Sequence, residues 1–390
     1  SWEIRTGDAT WRARVLISAL GGLSTPSLPP IEGLADFPGQ CFHSQAWDHD
    51  ADLTGKRVAV IGTGASAIQI VPAIAPRVAR LDLYQRTPPW ILPRADRPFA
   101  RLERALLARV PLAGRLLRSA IYWRLEARAL SFTIAPELLA AGERLARAHL
   151  ARQVPDRALR RALTPDYALG CKRVLLSDDY YPALCRPNVE VVTDPIRAVE
   201  GDRIVTRGGR ARAVDAIILA TGFRATSPIP RGMFTGAGGR DLVDTWADGP
   251  EAYKGTTVAG FPNLFLLVGP NCGLAHSSMV LMIESQIAYV MDALRVMRAR
   301  GLARVEVRPA AQAAFNRALQ ARLGRKVWST GGCKSWYLHD SGKNVALWPG
   351  FTWQFRLLTR RFDADRYQLA TGPRRGSNGR AQGGATRGQQ

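Results

Sequence analysis

The chain has 390 residues, room for two or three domains at about 150 residues each. Hydrophobic residues make up 46% and charged residues 22%, which excludes a disordered chain and allows a large core. Lys plus Arg number 54 against 32 acids, a net +22, but only six of the 54 are lysines. The excess therefore reads first as an Arg- and Ala-rich composition. It reads second as a surface that attracts anions: nucleotides, acidic lipids or nucleic acid. The five cysteines, Cys41, Cys171, Cys185, Cys272 and Cys333, form no C-x-x-C pair. Their odd number and wide spacing speak against a disulfide framework or a metal site, and for a reducing, cytoplasmic compartment.

The opening residues, Ser1-Trp2-Glu3-Ile4-Arg5, lack a signal-peptide pattern and enter directly on strand-like sequence, so we expect a piece of something longer. Trp11 to Ser18 ends as an apolar strand and runs into the turn Ala19-Leu20-Gly21-Gly22. A Pro/Gly-rich connector follows, from Pro26 to Gly39. Lys56–Ile61 predicts a buried strand, Ala65–Ile74 a helix and Arg80–Gln85 a second strand, which together make a βαβ unit.

From Arg97 to Leu163 the pattern turns helical, with leucines and arginines interleaved. This reads as an insertion at about 97–163, an amphipathic helix pair on a core. Its alternative is a basic surface in weak peripheral contact with a membrane. Strands are predicted at Val189–Val192, Arg203–Thr206, Ala216–Ala220 and Leu264–Val268, and a long helix at Ser277–Arg300. Residues 366–390, ending in TGPRRGSNGRAQGGATRGQQ, read as a disordered basic tail.

Val58 to Ala67, VAVIGTGASA, fits G-x-G-x-x-A with a strand before it and a helix after. Gly62 permits the tight turn, Gly64 lets backbone N–H groups approach a pyrophosphate, and Ala67 keeps helix and strand close. The helix start adds partial positive charge, with Thr63, Ala65, Ser66 and Gln69 around it. The second strand ends Leu83-Tyr84-Gln85-Arg86-Thr87. It has no acid at its tip to bind ribose hydroxyls, and Arg86 is suited to a 2′-phosphate, so the cofactor reads as NADP.

Phe37-Pro38-Gly39-Gln40-Cys41-Phe42-His43-Ser44-Gln45-Ala46-Trp47-Asp48 matches F-x-G-x-x-x-H-x-x-x-W-[P/D]. On this motif, just upstream of the glycine loop, the chain resembles the type I Baeyer–Villiger monooxygenases, and most closely the branch typified by 4-hydroxyacetophenone monooxygenase. Four further segments are similar to that family: Gly170–Val174 ahead of Tyr180-Tyr181, Asp215–Phe223 (DAIILATGF), Phe261–Asn271 with Gly273–Met279, and Ser335-Trp336-Tyr337.

The resemblance implies an α/β, two-dinucleotide-binding flavoprotein using FAD and NADP. Residues 1–54 would be a remnant of the FAD domain with the linker fingerprint. Residues 55–215 would be the Rossmann-like NADP domain, and 216–365 the C-terminal part of the FAD domain. It implies insertion of one oxygen atom from O2 beside the carbonyl of a small-molecule ketone to give an ester or lactone. Arg173 would be catalytic, stabilising negative charge on oxygen, with His43 in a linker role. Lys172, Arg86 and Thr87 would grip the 2′-phosphate. Thr221, Gly222, Trp336 and Met279 would touch cofactor, and Ala275, His276 and Ser277 substrate.

The family's first G-x-G-x-x-G, for FAD, has no counterpart here; Gly236-Ala237-Gly238-Gly239 follows no strand. About one domain's worth of upstream sequence is expected to carry it. Other readings are an N- or S-oxygenating flavin monooxygenase and a non-catalytic NADP-binding remnant. A nucleic-acid binder lacks any recognition motif.

Overall fold

The computed structural model describes residues 1–94, 96–227 and 229–372. The basic segment 373–390 lies outside them. The chain opens with an antiparallel hairpin, β1 (Trp2–Thr6) and β2 (Ala9–Ala13), followed by β3 (Leu16–Ser18) and β4 (Gln40–His43). Then come β5 (Arg57–Ile61), α1 (Ala67–Ile74), β6 (Arg80–Tyr84) and the short β7 (Ile91–Leu92).

Four helices fill the next stretch: α2 (Arg101–Arg109), α3 (Pro111–Thr133), α4 (Leu138–Gln153) and α5 (Arg157–Ala162). After β8 (Leu175–Leu176) and α6 (Tyr180–Leu184) the chain returns to strands. These are β9 (Val189–Val192), β10 (Ile196–Glu200), β11 (Arg203–Thr206), β12 (Ala211–Ala213) and β13 (Ala216–Leu219). The last part holds α7 (Leu242–Thr245), β14 (Leu264–Leu266), α8 (Met279–Ala299), β15 (Leu302–Val307), α9 (Pro309–Leu323), α10 (Val327–Thr330), α11 (Thr352–Leu358) and β16 (Tyr367–Thr371).

The main sheet is five-stranded and parallel, in the order β4-β13-β5-β6-β9. Its central strands are apolar on both faces because both faces are covered. Val58, Val60, Ala216 and Ile218 point to the side of α1 and α6, where Tyr180 and Tyr181 are also buried. Ala59, Ile61, Ile217 and Leu219 point the other way, onto the antiparallel meander β10-β11-β12. From β5 the chain winds through α1 to β6, while β13 lies on the opposite side of β5. The turn after β5 therefore opens into a switch-point crevice, where doubly wound sheets bind ligands.

The second core is built on α8 and the antiparallel pair β15–β16, with Tyr253, Phe265, Tyr289 and Tyr367 inside. The boundary placed at 366 in the sequence is corrected here. Tyr367–Thr371 is a strand paired with β15, and Tyr367 is buried.

A second correction concerns the cysteines: Cys171 and Cys333, 162 residues apart, are disulfide-bonded. Local spacing shows no such pair because the fold, not the sequence, brings them together. No helix among the described residues is long and apolar enough to cross a membrane.

Candidate active site

The glycine loop is shaped by the sheet beneath it. Gly62 has φ of 112°, and a Cβ there would lie 2.4 Å from the Ala220 carbonyl oxygen, so only glycine fits between β5 and the end of β13. Gly64 differs: nothing stands within 4 Å of its Cβ position, which leaves the backbone open to an incoming group. Ala67 is fully buried, keeping α1 against β5. Ala65 and Ser66 are half-buried in the turn, and Ser66 caps α1 with no side-chain hydrogen bond. No side chain caps α1, while the Ile68 and Gln69 N–H groups turn back to Gly64 O and Ser66 O, both at 3.1 Å, so any N–H groups open to a ligand lie ahead of them in the turn. The exposed Gln69 folds back, its Nε2 donating to Ala65 O at 2.7 Å.

The loop is joined to the end of β6 by Thr63 Oγ1, which donates to Thr87 O at 2.8 Å. Arg86, beside Thr87, is exposed. Lys172 Nζ stands 4.8 Å over the Tyr167 ring. Burial holds the Lys172 ammonium below its ordinary pKa, and the positive charge of Arg86 adds to the depression. Two cations that repel each other beside an open glycine turn fit a dianionic phosphate. The nearest acid on β6, Asp82, is buried mid-strand and paired with Arg212 at 2.6 Å, so it is no ribose ligand.

On the far side of Lys172, Arg173 lines a cavity of about 470 Å³. Gly22, Pro270, Ser277, Met279 and Trp336 share its wall. Tyr337 does too, and its phenol, raised by burial, feels the opposing charge of Arg173. Ser278 Oγ accepts from Val280 N and caps α8, so the start of a 21-residue helix stands at the cavity. Ser277 Oγ is buried with no hydrogen-bond partner among the described residues, a polar atom that a ligand would satisfy.

The Cys171–Cys333 bridge fastens the Lys172-Arg173 segment to the loop that leads to Trp336. The structure thus brings Arg173, Ser277, Met279 and Trp336 together. It places Ala275 and His276 elsewhere. Ala275 packs on the core around Cys272 and Trp328. His276 is buried, with Nε2 3.5 Å from the buried Glu126 carboxylate of α3. Burial lowers the His276 pKa, and Glu126 opposes that shift.

His43 closes β4 and is buried. Gln45 N donates to its Nδ1 at 3.1 Å, so Nε2 carries the proton and donates to Gly222 O at 3.1 Å. Burial keeps this imidazole below its ordinary pKa. Thr221 Oγ1 donates to Ser27 O at 2.6 Å. His43, Thr221 and Gly222 thereby tie the fingerprint strand and the connector to the end of β13, next to the glycine loop, and none of the three lines the Arg173 cavity.

Two features escaped sequence reasoning. Val268, on the cavity wall, has φ of 57°, a rare conformation for a β-branched residue. It is held there by the fully buried Gln286 of α8, whose Oε1 accepts from Val268 N at 2.9 Å. Only the Gly269-Pro270 punctuation hinted at an irregular backbone.

Among known proteins, the family model "Flavin-binding monooxygenase-like" matches residues 12–113. A Baeyer–Villiger monooxygenase of Pseudomonas aeruginosa is 58% identical over 374 residues, 95% of this chain and 71% of that protein. One of Streptomyces coelicolor is 49% identical over 369 residues, 94% of this chain and 71% of that protein. A crystal structure of OTEMO in complex with FAD and NADP superposes with a TM-score of 0.82 at 26% identity, covering 95% of this chain and 78% of that one. At this identity and coverage the chain belongs to the Baeyer–Villiger monooxygenases.

Proposed function

We propose that the chain binds NADP at the Gly62–Ala67 turn and carries out NADPH- and FAD-dependent insertion of one oxygen atom beside a ketone carbonyl. The observation that carries the proposal is Arg173. It stands on a cavity wall one residue from the cation that pairs with Arg86 toward a phosphate. The open Cβ position of Gly64 and the uncapped start of α1 fit a pyrophosphate, with Arg86, Thr87 and Lys172 holding the 2′-phosphate. The orphaned Ser277 Oγ and the start of α8 fit the ring end of a flavin, beside Met279 and Trp336. The chain holds one dinucleotide fingerprint, so its fit to FAD concerns that ring end.

FAD, when bound and reduced by NADPH, would supply the chemistry that activates O2: one oxygen atom enters between the carbonyl carbon and its neighbour to give an ester or lactone, and the other leaves as water. The protein's part is electrostatic. Arg173 keeps its charge at any working pH and is set beforehand where negative charge gathers on oxygen. Such a donor is worth ~3 kcal/mol, about a hundredfold in rate. The buried Tyr337, Leu266 and Leu347 form the dry part of the cavity wall.

A cytoplasmic location fits the NADPH supply. The Cys171–Cys333 bridge then belongs to the oxidised protein and opens with reductant. The reading also includes a weak peripheral membrane contact through the basic insertion, on the observation that α2 and α3 expose leucines.

The test is ester formation from an aryl ketone by the chain supplied with FAD and NADPH, followed by mass spectrometry. Arg173→Ala is expected to lose the ester about a hundredfold while NADP⁺ binding, measured by calorimetry, stays. Amine or sulfide oxygenation without any ester would favour the N- or S-oxygenating reading. Full ester yield from Arg173→Ala would remove that residue from catalysis.

A further inference from the structure

The outer face of α3 is apolar where nothing described covers it. Leu112, Leu116, Trp123 and Leu130 stand at i, i+4, i+11 and i+18, which at 3.6 residues per turn puts them in one stripe about 27 Å long. Leu116 is 63% and Trp123 59% exposed, and Leu102 on α2 is 85% exposed. α2 buries no residue at all. A nine-residue helix has little stability of its own in water, so an apolar side left bare calls for a partner.

The same stretch is strongly basic. Residues 97–134 hold eight arginines against Glu103 and Glu126. Glu103 pairs with Arg97, Glu126 is buried, and Arg118 faces Glu284. Arg101, Arg104, Arg109, Arg115, Arg124 and Arg128 have no carboxylate partner among the described residues. A groove of about 670 Å³ runs beside the stripe, between α3, α8 and α11. Trp123, Trp353 and Leu357 line it together with Arg356 and Arg360.

A second copy of this face would set arginine against arginine. An anionic bilayer satisfies both halves: the apolar stripe enters the acyl boundary while the guanidinium groups reach lipid phosphates. We propose that the outer face of α2–α3, with Trp353 and Leu357 of α11, seats the protein on an anionic bilayer. The proposal rests on the membrane-contact reading above and gives it a face and a lipid charge. α8 connects that face to the chemistry, since Leu281 and Glu284 wall the groove while Ser278 and Met279 wall the Arg173 cavity. Docking thus sets the substrate chamber within about two helical turns of the lipid, where apolar ketones concentrate.

The test is co-sedimentation of the full chain with phosphatidylglycerol/phosphatidylcholine vesicles, against pure phosphatidylcholine, at low and high salt. The chain should bind the anionic vesicles at least tenfold more tightly, with the difference shrinking as salt rises. Two variants, Leu116→Ser with Trp123→Ser, and Arg115→Glu with Arg124→Glu and Arg128→Glu, should each weaken binding at least tenfold at unchanged melting temperature. Trp123→Phe should keep binding but lose part of the fluorescence quenching by brominated lipid. Wild-type binding that both variants share would overturn this face and leave the membrane reading standing. No binding at all would overturn both, without touching the oxygenase assignment. A self-association that the same variants dissolve, with no vesicle binding, would give the stripe to a second copy.

Discussion

A pair of glycine substitutions separates what the phosphate turn does for the fold from what it does for the cofactor. At Gly62 the backbone has φ of 112°, and an added Cβ meets Ala220 O at 2.4 Å and Ala220 C at 2.9 Å. Holding an L-residue at positive φ costs about 1–2 kcal/mol, and moving backbone out of such a clash about 1–3 kcal/mol more. Gly62→Ala should therefore lose roughly 3 kcal/mol, a fall in melting temperature of roughly 10 °C for a domain of this size. At Gly64 φ is not positive, and nothing lies within 4 Å of the Cβ position. Gly64→Ala should melt within about 2 °C of wild type. It should nonetheless bind NADP⁺ roughly tenfold to a hundredfold more weakly, about 1.4–2.8 kcal/mol, because the methyl sits where the pyrophosphate approaches. Differential scanning fluorimetry and calorimetric titration with NADP⁺ read the two effects separately. Gly62→Ala melting like wild type, or Gly64→Ala binding NADP⁺ undiminished, would show that the crevice has been misplaced.

Three further outcomes follow from charge and covalent structure. The Arg57 hydrogen bond lowers the Asp215 pKa from its ordinary 3.8 to about 2. A depressed carboxylate stabilises fully above its unfolded pKa and loses that contribution as pH falls toward the folded one. Asp215→Asn should accordingly cost about 0.5–1 kcal/mol at pH 6, discounted because both partners are more than a third exposed, and the gap in urea titrations should narrow between pH 4 and 2. A gap that does not change with pH would refute the pairing. Glu126→Ala leaves the Thr352 N–H, which the carboxylate accepts at 2.6 Å, and the His276 ring without their partner, and should destabilise by about 3 kcal/mol in the same assay. Cys333→Ser opens a loop of 162 residues and should cost about 2–5 kcal/mol, matched by wild type in dithiothreitol. Intact-mass alkylation finding both thiols free in oxidised protein would remove the bridge.

The sheet was legible where local pattern and burial coincide. Val58–Ile61 and Ala216–Leu219 are apolar on both faces because both faces are covered, and a run of valines and isoleucines says so without help. Of the hairpin β1–β2, the opening residues read as strand-like but the pairing did not, since the two strands form a mostly exposed ribbon with no buried face to set its register. β16 was masked by the Gly- and Arg-rich sequence beyond it, and it pairs with β15, more than sixty residues earlier. In the site, motif position located the Lys172-Arg173 and Gly273–Met279 segments but not their side-chain directions. An irregular loop has no period, so nothing in the sequence says that Ser277 lines the cavity while His276 turns to Glu126. Val268 and Gln286 were invisible for the same reason: a strained backbone and its distant buried clamp leave no local signature.

Three consecutive residues divide the work that joins cofactor to cavity. Cys171 is buried and bridged to Cys333, Lys172 shares its field with Arg86, and Arg173 stands on the cavity wall. Consecutive Cα atoms are about 3.8 Å apart, so the phosphate-side cation and the cavity-side cation have no freedom to move independently. Whatever fixes Lys172 on a 2′-phosphate also fixes the backbone from which Arg173 extends. The bridge adds the loop bearing Trp336 to the same unit. On the proposed reading, preorganisation at Arg173 would then be partly a property of the bound dinucleotide. Opening the bridge by Cys333→Ser should accordingly loosen NADP⁺ binding as well as the fold, whereas Glu126→Ala, which touches neither Lys172 nor the bridge, should lower stability and leave NADP⁺ affinity alone.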